Sequence, residues 1–438
     1  MLVAAGLFGA EFRTSVRGQP MVRRANYQQE AEEIAPLDVP EMESVLADPA
    51  APLGSMETLG GDCCDQPHCD GSYCGPGFCS PGGCWSYWGS VEFLLWWRKG
   101  QNLPPLVTTG PSSVDNAGVL GEPGTQILYA TETQSGDARP GGRLTAGLWF
   151  DPCHLNGFGT RLFMLGESTA HFDRDSSTTP VLARPFFNVD TGLQEAVQIA
   201  FPDSSIGNIS VRNTSRVGGG DVFFRRLFFT DGCRRIDLIA GYQFARIDTD
   251  LMISSNLEAT PQNPPGGIDI GTTISVLDSF DTRNSYNAGL IGLWGTYDHG
   301  PITWSVLAKV GLGNMRQRTT ITGQQVTTTP GPPPATDTVA QGLLALPTNI
   351  GIYKRTVFSV SPEIAFQGAY HLNNCIDVTF GYSFIYWTHV AQPGDQIDRS
   401  LDGQLLAGNG TDATRPAFPG NDSGYYVHGL NFGIGWQW

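Results

Sequence analysis

The feature that most constrains this chain is a two-residue alternation that recurs in run after run between Tyr87 and Trp438. In NCIDVTFGYSFIYWTHV, Ile376, Val378, Phe380, Tyr382, Phe384 and Tyr386 alternate with Asp377, Thr379, Gly381 and Ser383. In FSVSPEIAFQGAY, Phe358, Val360, Ile364, Phe366 and Tyr370 alternate with Ser359, Ser361, Glu363 and Gln367. PITWSVLAKVGLG and RIDLIAGYQF behave the same way. Period two is the mark of strands with two different faces. A soluble sandwich also has one apolar face. Here that face is rich in aromatics, and the other is often Gly, Ser or Thr, which suits a wet or narrow lumen better than a packed core.

The connections are sorted by length. Short turns with turn chemistry occur at Asp151-Pro152-Cys153, Asp231-Gly232-Cys233, Asp298 to Pro301 and Asn373-Asn374-Cys375. The connections between them are long and polar, roughly 99–139, 173–215, 250–282, 317–353 and 391–422. Short turns at one end and long loops at the other are expected of an outer-membrane barrel, not of a sandwich. The expected class is therefore all-β, an antiparallel up-and-down transmembrane β-barrel. Strands fall at 87–98, 140–150, 156–171, 217–230, 234–248, 283–297, 301–315, 354–370, 375–390 and 424–438. That is about ten, in a range of about 8–14 because the long loops could hide more and 156–171, 217–230 and 283–297 alternate poorly.

Composition narrows the function classes. Charged residues are only 16% of the chain, aromatics reach 11% and mean hydropathy is −0.15. No run of about 20 apolar residues exists to form a membrane helix. A formal net charge of −16 excludes the basic footprint of a nucleic-acid binder. It also argues against a basic patch for anionic lipid headgroups.

Before the alternation the chain divides into three pieces. Residues 1–24 open with MLVAAGLFGAEF, which reads as the remnant of a secretory signal or as a plain tail. Residues 25–62 hold nine Asp and Glu and no Lys or Arg, and read as a disordered acidic spacer. Residues 63–85 carry Cys64, Cys69, Cys74, Cys79 and Cys84 at five-residue intervals, with Cys63 adjacent. That ladder lacks zinc-site spacing, so disulfides are the expectation over metal. Cys153, Cys233 and Cys375 each follow a short turn and would share one rim, where they are candidates for pairing, including with the Cys-rich leader. The barrel takes 86–438.

In the last strand Leu430, Phe432, Ile434, Trp436 and Trp438 point one way. An aromatic-ended strand of this kind resembles the signal read by the barrel assembly machinery. Three phrases in order, WGSVEFLLWWRKGQNLPPLVTTGP from Trp88, GVLGEPGTQILYA from Gly118 and RPGGRLTAGLWFDPC from Arg139, resemble the planctomycete outer-membrane β-barrel family, of the BBP type and formerly a domain of unknown function. The resemblance covers about 87–438. It implies a barrel in a bacterial outer membrane, and no substrate or catalytic residue.

No HExxH, GxSxG, Walker or dinucleotide motif stands in a fitting context. No catalytic, cofactor or metal residue is therefore assigned, and the chain is read as a non-enzyme. Glu92, Arg161, Arg225, Lys309, Glu363 and Asp377 are candidate lumen charges, either tuning a pore or filling a closed barrel with salt bridges. The leading expectation is a structural or surface barrel whose partners are outer-membrane lipid, the assembly machinery and, through the leader, the cell wall or another protein. A passive pore for small solutes is the alternative. A membrane-embedded hydrolase and a soluble secreted β-protein rank below both.

Overall fold

The computed structural model describes residues 78–80, 83–114, 116–130, 138–260, 268–406 and 413–437. The acidic spacer, most of the Cys ladder and Trp438 lie outside them. Ten strands form the wall, here β1 (Gly83–Arg98), β2 (Arg139–Trp149), β3 (Asn156–Leu165), β4 (Ser205–Thr230), β5 (Arg234–Ala259), β6 (Thr273–His299), β7 (Ile302–Thr329), β8 (Gly351–His371), β9 (Ile376–Val390) and β10 (Ser423–Gln437). Each pairs antiparallel with its sequence neighbour. β10 returns to β1 with Val427 opposite Arg98 and Gln437 opposite Trp88, and this closes the ring. A closed ring has no unpaired edge, the condition for putting strands into lipid.

The two faces are inverted relative to a soluble protein. Phe93, Leu144, Leu162, Phe244, Ile291, Val306, Phe366, Phe380 and Ile434 lie outward and exposed. Glu92, Arg143, Arg161, Asp221, Gln243, Lys309, Glu363 and Ser383 lie inward and buried. The apolar outward run is short. On β5 it spans Ile236 to Phe244 and on β7 Trp304 to Leu312, close to the nine to eleven residues a tilted strand needs to cross lipid.

The long connections are shorter than the loops expected from sequence, because β4, β5, β6 and β7 run for 26, 26, 27 and 28 residues. Residues 205–215, 250–259, 273–282 and 317–329, expected as loop, are strand. The expected strand at 156–171 instead breaks after Leu165, and a short strand at Ser168–Asp175 continues along β4. The reason is a change of phase. Beyond the lipid band the outward residues become polar, with Arg246 and Asp248 on β5 and Arg316 and Arg318 on β7, while Ile247, Leu251, Ile253, Met315 and Ile321 turn inward. A scan for one continuous apolar face loses the strand at that point.

The poor alternation of three wall strands has a related cause. Phe163, Phe223, Tyr286 and Leu290 point into the lumen and pack there, so both faces of their strands carry apolar residues.

Four of the five long connections fold into the extended end of the ring. A second sheet forms from Val107–Thr109, Gln126–Tyr129, Leu182–Asn188, Leu193–Ala200 and Ser400–Leu401. Its Leu106, Leu182, Phe186, Ile199 and Leu401, with Leu343 to Leu346, pack on Ile209, Val211, Leu251, Ile253, Phe280 and Ile321 of the wall. Asp278 pins this cap. Its carboxylate accepts from Arg184 at 2.6 Å and from the backbone N–H groups of Leu344 and Ala345 at 2.8 and 2.7 Å. In the last connection, burial opposes ionisation of Asp398. The N–H groups of Ala417 and Ser400 and the Arg415 guanidinium outweigh it and hold the carboxyl below its usual range.

The band makes a position-dependent expectation. Phe380→Arg places a cation at mid-band and is expected to cost about 2–4 kcal/mol. Thr320→Arg, outward but beyond the band, is expected to cost well under half of that. Urea unfolding of the vesicle-folded protein, followed by heat-modifiable gel migration, compares the two. Equal losses would contradict the assigned band.

Candidate functional site

The interior of the ring is the part of the molecule where polar chemistry is concentrated. It is layered along every strand. Nearest the short-turn end lies an aromatic and aliphatic patch of Phe223, Ile239, Leu290 and Leu307, packed with Trp88 and Trp294. Above it is a charged layer. Above that, Leu94, Trp96, Val217, Ile247, Met315, Ile385, Trp387, Tyr425 and Val427 make an apolar layer. The cap core is the last.

The charged layer is built from ion pairs between neighbouring and opposite strands. Arg143 on β2 donates to Glu92 on β1 through two nitrogens, at 2.5 and 2.8 Å. Its third nitrogen donates to Ser383 Oγ at 2.9 Å. Arg161 on β3 reaches across to Glu363 on β8 at 2.7 Å. Lys309 on β7 also bonds Glu363, at 2.9 Å, and pairs with Asp221 on β4. Asn431 on β10 donates to Ser383 at 2.8 Å and accepts from Trp96 Nε1 at 2.7 Å. Arg161–Glu363, Lys309–Asp221 and Arg143–Ser383 join strands that are not neighbours, so the layer spans the ring like a set of struts.

Small residues make room for it. At Gly147 a Cβ would stand 2.3 Å from the Trp88 ring, so the Trp88 indole can lie flat against the β2 backbone only because the residue is glycine. The Trp88 and Trp294 rings meet edge to face at 5.7 Å. Arg225 lies over Trp88, Trp149 and Trp294 at 5.4, 4.8 and 4.6 Å and pairs with Asp237 at 2.6 Å. Asp237 is shared with Arg235 at 2.8 Å. A buried guanidinium held by one carboxylate and three indoles is an anchor, since cation–π attraction strengthens when water is excluded.

Of the candidate lumen charges, Glu92, Arg161, Lys309 and Glu363 are inward, buried and joined in the charged layer. Arg225 is buried nearer the short-turn end. Asp377 stands apart, accepting from His371 Nδ1 at 2.5 Å beside the last short turn. Sequence reasoning missed Arg143, Asp221, Asp237 and Arg235 as partners. Arg143, Asp221 and Asp237 share the phase of the small or polar inward residues on their strands, so their alternation carried the signal. Their pairing across the ring did not appear in it.

Leu430, Phe432, Ile434 and Trp436 share the outward face of β10, with Phe432 and Ile434 the more exposed. Trp438 lies outside the described residues, as do Cys63, Cys64, Cys69 and Cys74. Cys79, on the short strand Phe78–Ser80, is the register partner of Cys84 at the start of β1. Cys153, Cys233 and Cys375 are half-buried beside three different short turns, at one end of the ring.

A cavity of about 180 Å³ opens at the short-turn end between Trp88, Glu92, Arg161, Trp294, Gln367 and Thr379. It ends against the charged layer, with Glu92, Arg143 and Arg161 in its lining.

The family model that matches residues 88–438 is described as "Putative beta barrel porin-7 (BBP7)". The chain belongs to this family. The match begins within β1 and covers the whole ring. A search of curated proteins finds no match. Among solved structures, the outer membrane protease OmpT from Escherichia coli aligns with 81% of this chain and 97% of its own at 9% identity and a TM-score of 0.35. A loop-deletion mutant of the Vibrio cholerae outer membrane protein OmpT aligns with 82% and 100% at 7% identity and a TM-score of 0.16. The P. putida toluene transporter TodX aligns with 82% and 90% at 9% identity and a TM-score of 0.14. The family and the inverted faces together place this BBP7 barrel in an outer membrane.

The struts predict an asymmetry in stability. Glu92→Leu leaves the Arg143 guanidinium buried without its carboxylate and is expected to cost about 3–5 kcal/mol. Glu92→Leu combined with Arg143→Leu removes both charges and is expected to recover most of that loss. Thermal unfolding of the detergent-solubilised protein measures both. A double variant as unstable as the single would show that the pair itself, rather than the orphaned charge, sets the cost.

Proposed function

We propose that this BBP7 barrel is a closed, non-enzymatic structural or surface barrel rather than an open channel. The single observation that carries the reading is the filling of the ring by three successive layers: the strut layer, the apolar layer and the cap core. A hydrated ion would have to displace paired charges and then cross packed aliphatic and indole groups. In this reading the capped end faces outward from the cell and the short turns face the periplasm. The bacterial, planctomycete setting implied by the sequence resemblance belongs to the same proposal, as does recognition of the final strand by the assembly machinery.

The family description favours a second reading, a passive pore, and the cavity at the short-turn end would then be its inner mouth. Planar-bilayer recording separates the two. The closed barrel is expected to give no stepwise current at modest voltage with the full chain. Regular steps would replace it with the pore.

We also propose that the short-turn rim is tied to the Cys-rich leader, giving the barrel a covalent link toward the wall side or to another protein. Supporting this, Cys233 and Cys375 are disulfide-bonded residues and both stand on that rim. Peptide mapping without reductant is expected to join fragments holding Cys233 and Cys375 to fragments from 63–85. Recovery of all rim cysteines as free thiols would refute the link.

A further inference from the structure

The net charge of −16 hides a local concentration of positive charge on the outside of the wall. Just past the lipid band, Arg283 on β6, Arg318 on β7 and Lys354 on β8 stand directly opposite one another in register. Arg316 is two residues nearer the band on β7, level with Ser285 and Thr356. All four point outward and Arg283, Arg316, Arg318 and Lys354 are exposed. None of the four has an ion-pair partner among the described residues. Arg246, at the edge on β5, is held by Asp248 at 2.8 Å. Together they line a shallow cleft of about 400 Å³.

Three physical facts bear on what this cleft is for. Like charges directly opposite on adjacent strands destabilise a sheet, and although Asp248 stands opposite Arg283 at one end of the ladder, it is bonded to Arg246, so the Arg318 and Lys354 end carries a cost that an anion would offset. The cleft lies immediately beyond Phe244, Leu312 and Phe358, which are exposed on the same face of β5, β7 and β8. It is therefore level with the headgroups of the leaflet at the capped end. Arginine side chains match phosphate oxygens bidentately, and three converge here with a lysine.

We propose that Arg283, Arg316, Arg318 and Lys354 form a binding site for the phosphate-bearing headgroup of a membrane lipid in that leaflet. The acyl chains of the bound lipid lie along Phe244, Leu312 and Phe358, and its phosphate sits in the cleft. The overall negative charge of the protein repels free anions from solution, so a lipid already held in the leaflet is the favoured source of phosphate. Net charge alone argues against a basic lipid patch, but these cations are clustered locally, with Asp248 opposite Arg283 and Asp250 and Asp281 just beyond it as the neighbouring outward acids.

The test uses the full chain, folded in a non-ionic detergent, with phosphatidic acid, phosphatidylcholine or inorganic phosphate added. Native mass spectrometry reads retained lipid and thermal unfolding reads stabilisation. Phosphatidic acid is expected to be retained and to raise the melting temperature, and phosphatidylcholine and inorganic phosphate to do neither. In R283Q/R316Q/R318Q/K354Q, phosphatidic acid affinity is expected to fall about tenfold or more. Without lipid, the variant is expected to be at least as stable as the parent, because a like-charge ladder has been removed. Substituting Arg174 and Arg212 by Gln, on strands outside the cleft, is expected to leave retention unchanged. Equal retention by the parent and the four-site variant would overturn the site. Equal stabilisation by inorganic phosphate would overturn the lipid as its occupant. Gel migration of the folded band checks that the variant folds, and recovery in the membrane fraction reports separately on embedding.

Discussion

Lipid offers the backbone no hydrogen-bond partner, and the whole architecture follows from meeting that condition. Each unpaired N–H or C=O in the hydrocarbon would cost several kcal/mol, so the sheet must close on itself. Closure falls to β1, which pairs with β2 along one edge and with β10 along the other. The first and last strands are therefore obligatory neighbours, although more than 300 residues separate them. Once the ring is closed, alternation does the rest. One face of each strand is committed to lipid and the other to whatever the ring encloses.

A ring of this size leaves an interior too wide to be filled by small side chains alone and too narrow to stay open once large ones enter. This chain fills it in two ways. Within the lipid band it uses paired charges and indoles, with glycine at places such as Gly147 where a ring must lie against the wall. Beyond the band it lengthens four strands and folds its connections inward onto an apolar core. Paired burial of charge adds little net stability compared with apolar packing. It does hold distant strands in one arrangement, since each carboxylate here answers a cation on another strand. That rigidity suits the closed structural barrel proposed for this chain.

The same change of phase that ends the lipid band also sets where headgroups must lie. Outward residues switch from Phe244 and Leu312 to Arg246 and Arg316 within a single pleat or two. A cluster of cations at that height meets the charged layer of the membrane whatever the net charge of the protein. Net charge sums over the whole surface, whereas binding is decided within a Debye length.

Much of the wall was legible in the sequence. Period-two runs and the turns between them pointed to about ten strands, although 156–171, 217–230 and 283–297 alternate poorly and β4 to β7 run further than expected, and the sorting of short turns from long connections placed both chain ends of the ring on one side. Glu92, Arg161, Lys309 and Glu363 could be assigned to the interior because they share the phase of Gly, Ser and Thr rather than of the aromatics. These properties are local, written in the covalent order and the pleat. What the tertiary structure alone decided is everything that depends on distance across the ring: that Arg161 meets Glu363, that Arg143 answers Glu92 and Ser383 together, and that the connections fold inward as a cap pinned by Asp278 instead of spreading as loops. It also decided that Arg283, Arg318 and Lys354 stand side by side. They lie far apart in sequence and come together only because strand register brings them opposite one another, and register is set by the pairing of whole strands rather than by any one of them.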